Sequence, residues 1–207
     1  YYKLFGEKKD SGMVRPSNLT VGHIFNYESK FYEFSEDKQN DFFGPVFVAE
    51  IGDKARLKAF YNQLNAQFSN RVIGNIKGYV DFYNYDYYFN SEIITDTTTI
   101  QSQLQGNEIS VGGIYSKRIG RLGIQGEAKT RISGNLSGNL VRGSLDFALN
   151  DKNRISLSGQ MAERMPDFNF LLYQSDYQNY NWQNDKSFKK QRENGLQADL
   201  SSNLLGS

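Results

Sequence analysis

Asn107-Glu108-Ile109-Ser110-Val111-Gly112-Gly113-Ile114-Tyr115-Ser116-Lys117-Arg118-Ile119 is the stretch whose reading decides the fold. Ile109, Val111, Gly113, Tyr115 and Ile119 share one parity, while Glu108, Ser110, Ser116 and Arg118 share the other. Successive side chains of an extended strand point to opposite faces, so the stretch predicts a strand with one apolar and one polar face. The alternation recurs downstream. Leu122, Ile124, Gly126, Ala128 and Ile132 alternate with Arg121, Gln125, Glu127, Lys129 and Arg131; Val141, Gly143, Leu145, Phe147 and Leu149 alternate with Arg142, Ser144, Asp146 and Ala148. Ile155, Leu157, Gly159 and Met161 alternate with Arg154, Ser156, Ser158 and Gln160, and a weaker version returns at Leu196, Ala198 and Leu200. Gly120, Gly134-Asn135 and Asn150-Asp151-Lys152-Asn153 separate these segments, and such residues tolerate the positive φ of tight turns. Strands of roughly ten residues joined this tightly are antiparallel neighbours.

Upstream, Leu19 to Tyr27, Phe31 to Phe34, Val46 to Ile51, Ala55 to Phe68 and Val72 to Tyr88 are strand-like, and the Thr/Gln/Ser-rich residues 91–106 are expected to form a long polar loop. No helical periodicity lasts beyond two turns and no linker composition divides the chain, so residues 1–207 are expected to form one all-β domain. The chain opens at Tyr1 without an initiator Met and closes at Leu204-Leu205-Gly206-Ser207 within an alternating segment. It is therefore read as an internal piece of a longer protein, incomplete at both ends.

Composition narrows the chemistry. The 207 residues include 15 Phe and 14 Tyr, too many for a solvated linker, so the rings are packed or in membrane. With no Cys and one His, disulfide scaffolds, thiol enzymes, cysteine zinc sites and multi-histidine metal sites are excluded. A net charge of +1 argues against a nucleic-acid partner, which calls for a clustered basic excess. No apolar run approaches the eighteen or so residues of a membrane helix. No nucleotide-binding or nucleophile-elbow motif follows a strand, so neither catalytic residues nor a cofactor are expected. His23 alternates with Val21 and Phe25 and reads as an ordinary strand position, with no metal site. Asp81 with Asp86, and Asp176 with Asp185, lie within reach of each other along the chain, but their spacing matches no defined calcium loop.

Two architectures fit such strands: a soluble β-sandwich with its apolar face inward, and an antiparallel up-and-down transmembrane β-barrel with that face outward. Three features favour the barrel. The apolar face is rich in Gly and Ala, which fill a core poorly; the polar face carries long charged side chains at strand centres; and aromatics cluster near the expected strand ends, in Tyr79 to Phe89 and Tyr173 to Trp182, where their rings would sit at membrane interfaces. The strands also match the roughly ten residues that span a bilayer at a tilt of about 45°. Every backbone group must be paired inside lipid, so such strands close into a barrel.

Three stretches carry a resemblance to a known family: Thr20-Val21-Gly22-His23-Ile24-Phe25-Asn26-Tyr27-Glu28, Phe60-Tyr61-Asn62-Gln63-Leu64-Asn65, and Tyr173-Gln174-Ser175-Asp176-Tyr177-Gln178-Asn179-Tyr180-Asn181-Trp182-Gln183-Asn184. In these the chain resembles the C-terminal half of the Bacteroidota putative porin family. The resemblance implies an outer-membrane β-barrel of larger total size and supplies no catalytic residues.

On the barrel reading, Arg118, Arg121, Glu127, Lys129, Arg131, Arg142, Asp146 and Arg154 are expected to line the lumen. The basic excess among them and their neighbours would favour anions, unless the charges pair across strands and cancel. Tyr79, Tyr83, Tyr85, Tyr87, Tyr88, Tyr180 and Trp182 are expected in interfacial aromatic girdles, with a stacking platform for sugars as the competing reading. The expected function is passive diffusion of small hydrophilic solutes. A plugged barrel acting as a scaffold or secretion-complex subunit, and a secreted β-sandwich that binds glycans, are the alternatives. The expected partners are outer-membrane lipid and other outer-membrane or secretion-complex subunits.

Overall fold

The computed structural model describes residues 2–6, 17–90, 92–94 and 99–202. The elements in chain order are β1 (Tyr2–Gly6), β2 (Ser17–Glu36), β3 (Ile51–Asn70), β4 (Gly74–Phe89), β5 (Ile93–Ile94), β6 (Thr99–Ile100), β7 (Gln103–Ile119), β8 (Leu122–Ser133), β9 (Ser137–Ala148), β10 (Asn153–Arg164), α1 (Phe168–Leu171), β11 (Leu172–Tyr173), β12 (Trp182–Gln183) and β13 (Gln191–Ser202). One sheet runs in the order β1-β2-β3-β4-β7-β8-β9-β10-β13, up and down throughout. The pairs β5–β6 and β11–β12 are short hairpins inside connections.

Several expected boundaries move. Leu19 to Tyr27 and Phe31 to Phe34 are one continuous β2, because the polar residues between them keep their ladder partners, Glu28 with Ala59 and Lys30 with Leu57. Of Val46 to Ile51 only Ile51 is in a strand, as the first residue of β3. After Gly44 (φ 92°) that chain pairs sideways: Phe47 donates its N–H to the Asp176 carbonyl at 2.9 Å, and Val46 bridges Tyr177. Residues 91–106 are only partly loop, since β7 starts at Gln103 and pairs with Tyr88, and the remainder carries the β5–β6 hairpin. Ser91, residues 95–98 and Leu204 to Ser207 lie outside the described residues.

The register carries each face across the sheet. His23, Leu64, Val80 and Val111 form one cross-strand row, and Ala128, Val141 and Met161 form another. These side chains, apolar except for His23, face outward: Leu64 is 60 % exposed and Met161 58 %. Asn65, Asp81, Glu108 and Ser110 on the other face are each under 5 % exposed. A water-soluble sheet buries its apolar face, whereas this one buries the polar face and presents the apolar one, as a lipid-facing sheet does.

The two ends of the sheet differ. Residues 71–73, 120–121 and 149–152 are tight turns at one end; at the other lie the long connections 37–50 and 165–190, the described part of the β4–β7 connection and the short β8–β9 turn at 134–136. An apolar cluster of Ala55, Tyr87, Phe89, Ile100 and Leu172 sits at the long-loop end, on the polar-face side.

Candidate functional site

The polar face of β3, β4, β7, β8 and β9 is a matched network. Lys129 Nζ lies 2.6 Å from Asp81 Oδ2, while Tyr61 Oη and Gln63 Nε2 each donate to Asp81 Oδ1 at 2.8 Å. Tyr79 Oη donates to Glu127 Oε1 at 2.5 Å, and Arg142 Nε donates to Glu127 Oε2 at 2.6 Å. Burying a carboxylate is costly unless it is paired and hydrogen-bonded, and Asp81 and Glu127 each have both kinds of partner. Glu108 ties down the β8–β9 turn, accepting the N–H groups of Asn135, Leu136 and Ser137. Glycines make the network possible. Tyr79 stands opposite Gly112 in the ladder and its ring lies across the space a Cβ would fill, 2.4 Å from that position; Tyr85 lies over Gly106 in the same way.

Residues 165–190 connect the neighbouring strands β10 and β13, yet the connection folds back to β3, β4 and the long loops. Two carboxylates clamp it: Asp53 Oδ1 accepts the Asp176 N–H at 2.7 Å, and Asp176 Oδ2 accepts the Gly52 N–H at 2.7 Å. Tyr177 Oη donates to Glu36 Oε2 at 2.5 Å and accepts the Asn40 N–H, while Gln174 Nε2 donates to the Gln101 carbonyl at 2.9 Å. Burial, reinforced by Glu36, pushes the Tyr177 hydroxyl above its ordinary pKa. Leu171 and Leu172 are fully buried, and Phe168 packs against Tyr85 and Tyr87. Trp182 stacks on Tyr173 at 4.9 Å. Below this segment a cavity of about 600 Å³ is lined by Tyr61, Asp81, Tyr83, Lys129, Arg164 and Phe168 among others.

Of the expected lumen residues, Arg118, Glu127, Lys129, Arg131, Arg142, Asp146 and Arg154 all stand on the polar face. Arg121 does not: it sits in the β7–β8 turn and donates to the Leu149 carbonyl at 2.8 Å. The structure brings Lys129, Glu127 and Arg142 into the network, turns Arg131 onto the Gly134 carbonyl and gives Asp146 the Ser156 hydroxyl.

The girdle expectation is corrected for most of its residues. Tyr79, Tyr83, Tyr85 and Tyr87 share the parity of Asp81 and therefore lie on the polar face, with Tyr79, Tyr85 and Tyr87 buried. Tyr180 and Trp182 belong to the folded-back segment, where Tyr180 meets Phe43 edge-on at 5.8 Å. Tyr88 alone of the seven lies on the apolar face. Asp81 and Asp86, five apart on one strand, point to opposite faces.

Sequence reasoning missed the roles of Tyr61, Gln63, Asp81, Gly112, Asp53 and Asp176. The parity of Asp81 with Tyr79 was readable, but its partner Lys129 lies two strands away in the sheet, and only the register brings the two together.

No curated protein and no solved structure gives a significant match to this chain. A family match described as "Putative porin" covers residues 1–207. It agrees with an antiparallel sheet that turns its apolar side chains outward and pairs its charges on the opposite face. The chain belongs to this putative porin family.

Proposed function

We propose that the nine-stranded sheet is part of the wall of a pore for passive diffusion of small hydrophilic solutes, and that residues 165–190 narrow it. The observation carrying this reading is the pairing of an outward apolar face with a buried polar face onto which one connection folds. Both outer edges, β1 and β13, lack a further neighbour among the described residues, and lipid does not tolerate open edges, so additional strands are needed to close the barrel. Longer loops lie outside and shorter turns inside in barrels of this kind, and by that rule the β2–β3, β4–β7 and β10–β13 connections belong at the outer mouth.

Part of the basic excess behind the expected anion preference is cancelled on this reading. Lys129 and Arg142 are matched by Asp81 and Glu127, whereas Arg118, Arg131, Arg154 and Arg164 have no ion-pair partner among the described residues. Planar-bilayer conductance of the full-length protein, with its reversal potential in a salt gradient, tests the proposal. Ohmic steps with a small anion bias are expected. The two fully buried leucines of the folded-back segment favour the plugged scaffold as the second reading. Silence from a demonstrably folded barrel would select it.

A further inference from the structure

The outward face carries a second chemistry above its apolar band. On β3 the outward positions from Phe68 to Phe60 are apolar except for Asn62, a length matching the 9–11 or so residues that cross the hydrocarbon. Next along that face come Lys58 and then Arg56, both exposed. At about 3.3 Å per residue and a tilt of about 45°, they stand about 5 and 9 Å above Phe60. The headgroup layer beyond the hydrocarbon is about 5–7 Å thick on each side, within reach of both side chains.

Aromatic rings frame the two cations. The Arg56 guanidinium lies 5.6 Å from the centre of the Phe31 ring and 6.0 Å from that of Tyr88, and Lys58 Nζ lies 5.8 Å from that of Tyr88. Rings on either side limit the positions the guanidinium can take. Of the acids on this face, Glu33 pairs with Lys54 at 2.9 Å, and Asp86, opposite Lys58 in the ladder, accepts Gln103 Nε2 at 2.7 Å and lies beyond ion-pair distance of Lys58. Among the described residues neither Arg56 nor Lys58 has a carboxylate within ion-pair distance.

We propose that Arg56 and Lys58, framed by Phe31 and Tyr88, bind the phosphate headgroup of a lipid in the leaflet at the long-loop end. Charge complementarity selects the ligand: two cations without carboxylate partners at headgroup height match a phosphate, and the apolar rows below match its acyl chains. The inference rests on the sheet spanning the membrane with Phe60 at the edge of its apolar band.

Native mass spectrometry of the full-length protein in detergent, titrated with phosphatidic acid and with diacylglycerol of the same chains, tests it. Phosphatidic acid is expected to bind at least tenfold more tightly. Arg56→Gln with Lys58→Gln should remove that difference, Arg56→Lys should keep most of it, and Arg71→Gln at the opposite end should leave it unchanged. Equal retention of phosphatidic acid by the double variant would overturn the proposal. So would its displacement by equimolar inorganic phosphate, which would make the ligand a free anion. Normal membrane insertion of Leu64→Arg would instead show that the membrane-spanning reading has failed.

Discussion

Replacing Gly112 by Ala tests whether the polar face is the packed side of the sheet. A Cβ at Gly112 falls 2.4 Å from both Cζ and Oη of Tyr79 and 2.8 Å from Cε2, well inside ordinary contact, so the ring has to move. Moving it takes the hydroxyl off Glu127, to which it now donates at 2.5 Å. Overpacking costs about 1–3 kcal/mol, and loss of a hydrogen bond to a charged group about 1.5–3; because one displacement can relieve part of the other term, about 2–4 kcal/mol is expected. Gly113, the next residue, faces the other way, and its nearest heavy atom would be the Lys77 carbonyl at 3.6 Å. Neither glycine has a positive φ, so backbone freedom does not separate them. Gly113→Ala should stay within about 0.5–1 kcal/mol of the parent. Denaturant unfolding in detergent micelles, followed by circular dichroism and by the emission of the single tryptophan, Trp182, measures both. Adding Tyr79→Ala to Gly112→Ala should cost less than adding it to the parent, because the clash goes with the ring. Equal costs for the two glycine variants would refute the assignment of a packed polar face and an open apolar one.

Three further outcomes follow from the same geometry. Leu145→Arg, on the outward face, should cost about 2–4 kcal/mol near the bilayer midplane, while Ser144→Arg on the polar face should insert normally; membrane-flotation assays compare them. Asp176→Ala removes the acceptor of the Gly52 N–H and should cost about 1–3 kcal/mol locally, read as faster proteolysis within residues 165–190, quenching of Trp182 by solvent, and a larger unit conductance. Lys190 has its pKa held below the ordinary lysine value by burial first and then by Arg131. The unfolded chain therefore binds the extra proton between the two values, and stability should rise with pH from the depressed folded value toward about 10.4. Lys190→Gln should flatten that slope in unfolding midpoints measured from pH 7 to 10.5.

Period two alone determined much of this protein. Ile109, Val111 and Tyr115 against Glu108, Ser110 and Arg118 set two faces whatever the neighbours, because an extended chain offers its side chains only two directions. Charged groups at strand centres marked the polar face as the inner one before any coordinates. The same parity was open to reading for Tyr79, Tyr83, Tyr85 and Tyr87, which alternate with Val80 and Phe82, although their aromatic character drew them to the interface. Tertiary structure alone decided what meets what. Lys129 finds Asp81, and Tyr79 finds Glu127 over Gly112, through a register set by ladders between segments tens of residues apart. Residues 165–190 have no periodicity to betray where they go. Their two leucines and the Asp53–Asp176 clamp gain burial and hydrogen bonds only when the chain folds back across the polar face, a long-range contact that local sequence does not encode.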